Sequence, residues 1–320
     1  MSGDVYVGID LGGTNIRVGL FGRGLGLLEK VVLPTNSHSG PQRVVDRIAE
    51  ATRNVVSAGK LDMCNVRAAG VGAPGPIDIA EGVICFAPNM PGFENVPLKK
   101  MLADRLKVPV VVENDANAAC WGEFVAGAGR GTCDMALITL GTGVGGGLIS
   151  NGRLVHGFRD GAAEFGHTII YPDGRLCACG QKGCVEAYAS ATSTAARAAE
   201  GIRQGRASGL AGVLNNSGVL TSRDVYEQLA AGDELAREIT DGTAKALAVL
   251  CVNLVRIASP ELIAFGGGMM AAGDILLNRV RQMFEQLIWS SQRACVRLIP
   301  ALLGEDAGIV GAAALASQAS

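Results

Sequence analysis

The sequence predicts an α/β protein made of two similar halves, and three observations carry that expectation. Short β-rich runs alternate with helical periodicity. A strand, glycine turn, strand pattern occurs once in each half. The 45 glycines among 320 residues gather in short runs such as "DLGGT", "GTGVGGG" and "FGGGM" rather than in a linker. Glycines placed in this way build tight backbone loops at strand ends. With 48% apolar residues the chain can fill two cores, although aromatics are only 4%.

In chain order, "DVYVGIDLGGTNIRVGLFG" contains two β-rich runs, Val5–Ile9 and Ile16–Phe21, joined by a glycine turn, which reads as a hairpin. The run "LEKVVLPT" extends it. "PQRVVDRIAEATRNVVSA" then sets Val44, Val45, Ile48, Val55 and Val56 on one helical face, with Pro41 at its start and Gly59 after its end. "VRAAGVGAPGPID" is a strand running into a Gly/Pro turn, and "PLKKMLADRLK" is a short helix. "VPVVVEND" is a buried strand, followed by a helix from about Ala116. This order suggests a mixed sheet flanked by helices. It partly repeats in "CDMALITLGTGVGGGLISNGRLVHG" and in "SPELIAFGGGMM", a strand that ends in a glycine loop. Two such halves facing each other across a cleft would bring Asp10, Asp115, Gly141–Gly147 and Gly266–Gly268 to one crevice. We expect a small domain over 1–116, a larger one over 117–305, and a C-terminal helix in 306–320 packing back on the first.

Composition excludes several classes. A net charge of −2 and a pI near 6.0 leave no electrostatic footprint for nucleic acid or an anionic membrane. The start "MSGDVYVGID" has no basic region, so no signal peptide is expected. The most apolar helical stretch, "TAKALAVLCVNLVRIAS", carries Asn253 and Arg256 and is too short to span a bilayer. Nine cysteines, an odd number with Cys64 and Cys251 isolated in apolar runs, point to reduced thiols and a cytoplasmic protein.

The turn Gly12-Gly13-Thr14 joins two strands, and "ITLGTGVGGGLI" repeats that arrangement at 138–149. Such turns let backbone N–H groups approach an anion, and a threonine hydroxyl adds a donor. An ordinary hairpin turn would explain either alone. Neither fits the Walker pattern or the dinucleotide fingerprint, and it is their pairing, one in each half, that suggests phosphate binding. In "VVVENDANAACWGEF" Asp115 follows a buried strand, where a carboxylate can accept a hydroxyl proton and Asn114 can hold a neighbouring hydroxyl. Helix capping would explain the same pair.

The motifs "DLGGT", "LGTGVGGG", "EFGH" and "CACGQKGCVEAY" stand in the order and spacing of the ROK family of repressors and sugar kinases, which the chain resembles over most of its length. The resemblance implies the actin-like ATPase (ribonuclease H-like) fold, two α/β domains with a cleft between them. By it, Asp10 lies near Mg²⁺, and Gly12, Gly13, Thr14, Thr142 and Gly143 contact the phosphates of ATP. Gly266, Gly267 and Gly268 would line the adenosine pocket, and Asp115 would be the catalytic base. Many members carry lysine at the position of Asn15, so no charge contact is carried over there. Asn89, Asn114, Asp115, Glu164, His167 and Glu186 look like the hexose contacts, with Gly75 abutting the ring; a turn former would otherwise explain Asn89, and a solvent-facing helix residue Glu186. Amides and carboxylates suit sugar hydroxyls, which both donate and accept. The scarcity of Lys and Arg around these segments agrees with a neutral substrate.

His167, Cys177, Cys179 and Cys184 follow at spacings of ten, two and five. A disulfide across one intervening residue would be strained, and a redox pair more usually reads Cys-x-x-Cys. Three thiolates and an imidazole complete a closed tetrahedral Zn²⁺ shell, the structural pattern, and the family has the same four ligands. One ring nitrogen of His167 would bind the metal and the other would face a sugar hydroxyl.

The expected activity is ATP-dependent phosphorylation of the 6-hydroxyl of glucose, since "PNMPGFENVPL" and "VVVENDANAACWGE" resemble bacterial glucokinases most. An N-acetylhexosamine kinase or fructokinase shares every motif. A ROK sugar-responsive repressor is the alternative from another class, and no N-terminal DNA-binding segment is seen before the first strand. The resemblance implies a homodimer or dimer of dimers, with no nucleic-acid or membrane partner, working in glycolysis.

Overall fold

The computed structural model describes residues 4–319. β1 (Val5–Leu11) and β2 (Asn15–Gly22) form the expected hairpin, and β3 (Leu27–Pro34) pairs antiparallel with β2. α1 (Pro41–Ala58) opens with its proline at the first turn, where the missing N–H costs nothing. Its Val44, Val45, Ile48, Val55 and Val56 pack with Val7, Ile9, Leu11, Val18 and Leu20 of the hairpin. β4 (Val66–Ala73) pairs parallel with β1.

The segment that follows holds a small antiparallel sheet of β5 (Ile77–Asp78), β6 (Val83–Phe86) and β7 (Glu94–Val96). Its strands of 2, 4 and 3 residues are too short to show alternation, so periodicity misses them. α2 (Leu98–Leu106) leads to β8 (Val110–Asn114), parallel to β4, and then directly to α3 (Asp115–Ala126). The strand order of this sheet is β3-β2-β1-β4-β8.

A second five-stranded sheet begins with β9 (Met135–Leu140), β10 (Val144–Ser150) and β11 (Arg153–Leu154). Helices α4 (Glu186–Ala189), α5 (Ala191–Arg203), α6 (Leu210–Ser217) and α7 (Ser222–Ala230) follow. The long α8 (Glu234–Ala258) then buries Leu247, Leu250, Cys251 and Leu254 along one side. β12 (Leu262–Gly266) lies parallel to β9, α9 (Asp274–Leu287) crosses back, and β13 (Arg297–Pro300) lies parallel to β12. The order is β11-β10-β9-β12-β13, so hairpin strands at one edge and parallel strands at the other recur from the first sheet.

α10 (Ala307–Gln318) packs Ile309, Val310, Ala313 and Ala316 against Tyr6, Phe21 and Ala68. The chain divides into two compact units. One holds the chain through Gly131, Gly147–Ala162 and the segment from Leu302; the other holds Thr132–Gly146 and Ala163–Ala301. Among the described residues no helix is long and apolar enough to cross a membrane.

Candidate active site and metal cluster

In the first unit, strand register places the candidate carboxylates on one edge. Asp10 is paired with Gly72 across β1 and β4, and Gly72 with Glu113 across β4 and β8. Asp10 therefore stands at the C-terminal end of β1, and Asn114 and Asp115 at that of β8, with the parallel strand β4 between them. Ligands bind at this edge of open α/β sheets, because loops and helix N-termini converge there. The Gly12–Thr14 turn leaves β1 at the same edge, closed by the Gly12 N–H donating to the Asn15 carbonyl at 2.9 Å. Thr35 fastens it: its hydroxyl donates to the Gly12 carbonyl at 2.6 Å and its N–H to the Thr14 carbonyl at 2.8 Å. A Cβ at Gly13 would lie 3.6 Å from that of Asn89, so Asn89 sits beside this loop.

Gly75 follows β4 with φ of 89°, and a Cβ there would come within 2.0 Å of the Phe86 carbonyl oxygen, so only glycine fits. Asn114 Nδ2 donates to the Gly75 carbonyl at 3.4 Å. Asn114 also caps α3, its Oδ1 accepting from the N–H groups of Ala116 and Asn117 at 3.0 and 3.1 Å. Capping thus uses Asn114 Oδ1, while its Nδ2 faces Gly75. Asp115, half-buried in the first helical turn, accepts the Ala116 N–H at 2.8 Å.

Three residues here were not singled out from sequence. Glu113, 4% exposed, accepts from the Asn114 N–H at 2.9 Å and from Asn117 Nδ2 at 3.1 Å, while its other oxygen meets His156 Nε2 at 2.8 Å. Hydrogen bonding to Glu113 pushes the His156 imidazole above its ordinary value against the opposing effect of burial. A lone carboxylate in the apolar run "VVVE" was the available signal; nothing local announced its partner 43 residues away. The third is Arg17, the cross-strand neighbour of Asp10, whose Nη1 stands 3.4 Å from the Asp10 carboxylate. Burial pushes the Asp10 carboxyl up, and the Arg17 guanidinium pulls it the other way.

In the second unit, Thr142 and Gly143 form the turn between β9 and β10, and Gly266–Gly268 leaves β12, the strand beside β9. Gly266 is in register with Thr139, and Gly267 backs onto the Leu140 carbonyl. These two loops share one edge, as the first-unit loops do. Glu164 is exposed, His167 half-buried in the turn Phe165–His167, and Glu186 opens α4.

The four candidate metal ligands converge. One donor atom from each of His167, Cys177, Cys179 and Cys184 lies within 4.8 Å of all the others. Cys179 Sγ and Cys184 Sγ are 3.7 Å apart, and Cys177 Sγ and His167 Nδ1 are 3.8 Å apart. A tetrahedron with metal–sulfur bonds of about 2.3 Å has edges of about 3.8 Å, so this donor set fits zinc. The thiols are free, not paired as disulfides. The Cys177 N–H donates to the Gln181 carbonyl at 2.8 Å and the Gly180 N–H to the Cys177 carbonyl at 3.0 Å, which curls the loop around the cluster. Burial pushes the Cys177 thiol up to about 12 and raises that of Cys184, whereas a backbone hydrogen bond at Gln181 lowers that of Cys179. A cation held among them would supply the charge that makes all three thiolates favourable.

Comparison with known proteins agrees with these motifs. Residues 6–319 match the model of the ROK family. A glucokinase of Halalkalibacterium halodurans is 39% identical over 319 residues, covering 99% of this chain and 96% of the relative. A ROK family glucokinase from Streptomyces griseus, solved in complex with glucose and AMPPNP, is 36% identical and superimposes with a TM-score of 0.83, covering 98% and 99% of the two chains. A ROK hexokinase from Thermus thermophilus is 32% identical with a TM-score of 0.82, covering 98% of each. The architecture is accordingly the actin-like ATPase fold of these sugar kinases. By its family model, its motifs and its fold over nearly its whole length, the chain belongs to the ROK family.

Proposed function

We propose that this protein is an ATP-dependent glucose kinase that transfers the γ-phosphoryl group of ATP to the 6-hydroxyl of glucose. The observation that carries this reading is Asp115 at the mouth of β8, with Asn114 and Gly75 beside it and Asp10 at the same sheet edge. Relatives at 39% and 37% identity over nearly the whole chain are glucokinases. Asp115 takes the proton of the 6-hydroxyl as that oxygen attacks the γ-phosphorus, and ADP departs. Asn114 Nδ2, already turned toward Gly75, is suited to donate to a sugar oxygen. Gly75, Asn89, Glu164, His167 and Glu186 are the other proposed sugar contacts.

The turns at Gly12–Thr14 and Thr142–Gly143 are proposed to hold the phosphates, and Gly266–Gly268 to line the adenosine site. Asp10 would lie near the Mg²⁺ that accompanies ATP, which when bound would supply charge neutralisation for the transferring group. His167, Cys177, Cys179 and Cys184 hold a structural zinc ion; Nδ1 faces the cluster, which leaves Nε2 of His167 for a sugar hydroxyl. In this reading residues 1–116 form the small domain, 117–305 the larger domain and 306–320 the helix returning to the first. The protein works as a cytoplasmic homodimer, and its product enters glycolysis.

Asp115→Asn should reduce turnover at least about 100-fold while leaving the glucose dissociation constant within about threefold. An ADP-coupled assay across glucose, mannose, fructose and N-acetylmannosamine checks both base and substrate. Full activity in the variant would remove Asp115 from the mechanism, and a higher kcat/KM for another sugar would reassign the acceptor.

A further inference from the structure

Two segments of the second unit, the zinc-ligand loop and the Gly141–Val144 turn, meet at one carboxylate. Glu186 Oε2 accepts the Val144 N–H at 2.9 Å. Its other oxygen, Oε1, lies 3.7 Å from Cys177 Sγ, one of the four metal-ligand sulfurs and nitrogens. A Cβ placed on Gly143 would fall 2.4 Å from Glu186 Oε2, so the turn runs hard against this carboxylate, which would have to move to admit a side chain there. Two neighbours hold the same turn. The Ala191 N–H at the start of α5 donates to the Gly141 carbonyl at 2.9 Å, and Gly166, next to His167, faces the Val144 carbonyl. The turn is thus held by Glu186, Ala191 and Gly166, and of these three Glu186 alone acts through a side chain.

We propose that Glu186 is a positioning residue for nucleotide, clamping the Gly143–Val144 backbone of the second glycine loop to the zinc loop so that the loop is pre-shaped for phosphates. This rests on the reading of that loop as a nucleotide site. The physical ground is that a turn rich in glycine loses much conformational entropy on ordering. A charge-assisted hydrogen bond to its backbone settles that cost before ligand arrives. Glu186 then serves nucleotide and sugar from the same carboxylate, and the metal cluster supports the phosphate loop as well as the sugar pocket.

The test compares wild type, Glu186→Ala and Glu186→Gln for binding of AMPPNP and, separately, of glucose by calorimetry. Amide exchange over residues 138–150 and metal content are measured alongside. Glu186→Ala should weaken AMPPNP binding roughly 10- to 100-fold and speed exchange at Val144, with metal content unchanged. Glu186→Gln keeps an amide oxygen that can accept the Val144 N–H and should restore most of both. If the alanine variant does not fold, Glu186→Asp, about 1.5 Å shorter, should show the same loosening. Weakened glucose binding with AMPPNP affinity and Val144 exchange both at wild-type level would overturn the proposal and leave Glu186 a sugar contact only. Failure of the wild type to bind AMPPNP would instead refute the nucleotide reading, and the exchange measurement would still decide whether the clamp exists.

Discussion

At the scale of single residues, the pair Glu113–His156 sets the surroundings of Asn114 and Asp115. The buried carboxylate joins the Asn114 N–H, the Asn117 amide and the His156 ring, with Asp160 the other acidic group acting on the imidazole. Hydrogen bonding raises the folded-state value of His156 above its ordinary 6.5. The protonated ring therefore contributes stability that is fully present below the unfolded value and is lost as pH rises through the folded one. His156→Gln should lower the urea midpoint at about pH 6, and that loss should shrink by about pH 8.5. Equal losses at both pH values would show that the contact does not involve the charged ring. Asn114 and Asp115 were legible in sequence because "ND" follows an apolar strand at once. His156 was not, since its partner is distant along the chain and only folding makes them neighbours.

At the scale of elements, α3 carries the proposed base at its first residue and a fully buried carboxylate, Glu123, toward its end. Glu123 Oε2 accepts the N–H groups of Ala128 and Leu302 at 2.8 and 3.0 Å, and Oε1 accepts that of Leu303 at 2.7 Å. One side chain thereby ties the end of α3 to the connection leading into α10. Removing it leaves three backbone donors without that acceptor, so Glu123→Ala should cost roughly 3 kcal/mol or more in urea unfolding. Glu123→Gln, which keeps one oxygen acceptor, should fall between. An alanine variant within about 0.5 kcal/mol of wild type would mean that water replaces the carboxylate at those donors. Hairpins, α1 and the parallel strands followed from periodicity and turn chemistry. The β5–β7 sheet did not, because strands this short take their form from pairing rather than from their own pattern.

At the scale of the whole molecule, the plan of the first sheet recurs in the second, and each places glycine loops at the ends of its parallel strands. The loop that brings His167, Cys177, Cys179 and Cys184 together meets the Gly141–Val144 turn of the second sheet through Glu186. If the cluster binds zinc, a chelator that strips it should lower the thermal midpoint and expose Phe165–Glu186 to proteolysis, because ligand binding and local folding are coupled. A metal-free sample with an unchanged midpoint and protease pattern would show that the cluster supports no structure.

The sequence by itself determined what is encoded locally: the α/β class, the glycine turns, the aspartate after the β8 run, and four candidate metal ligands close enough in the chain for spacing to single them out. Only the tertiary structure decided which distant groups act on them. His156 meets Glu113, Arg17 meets Asp10, and Glu186 grips the backbone of Val144, 42 residues away. The reason is physical. A turn or a ligand spacing is fixed by a few consecutive dihedral angles, whereas a hydrogen bond between remote segments exists only once sheet register and core packing have brought them together.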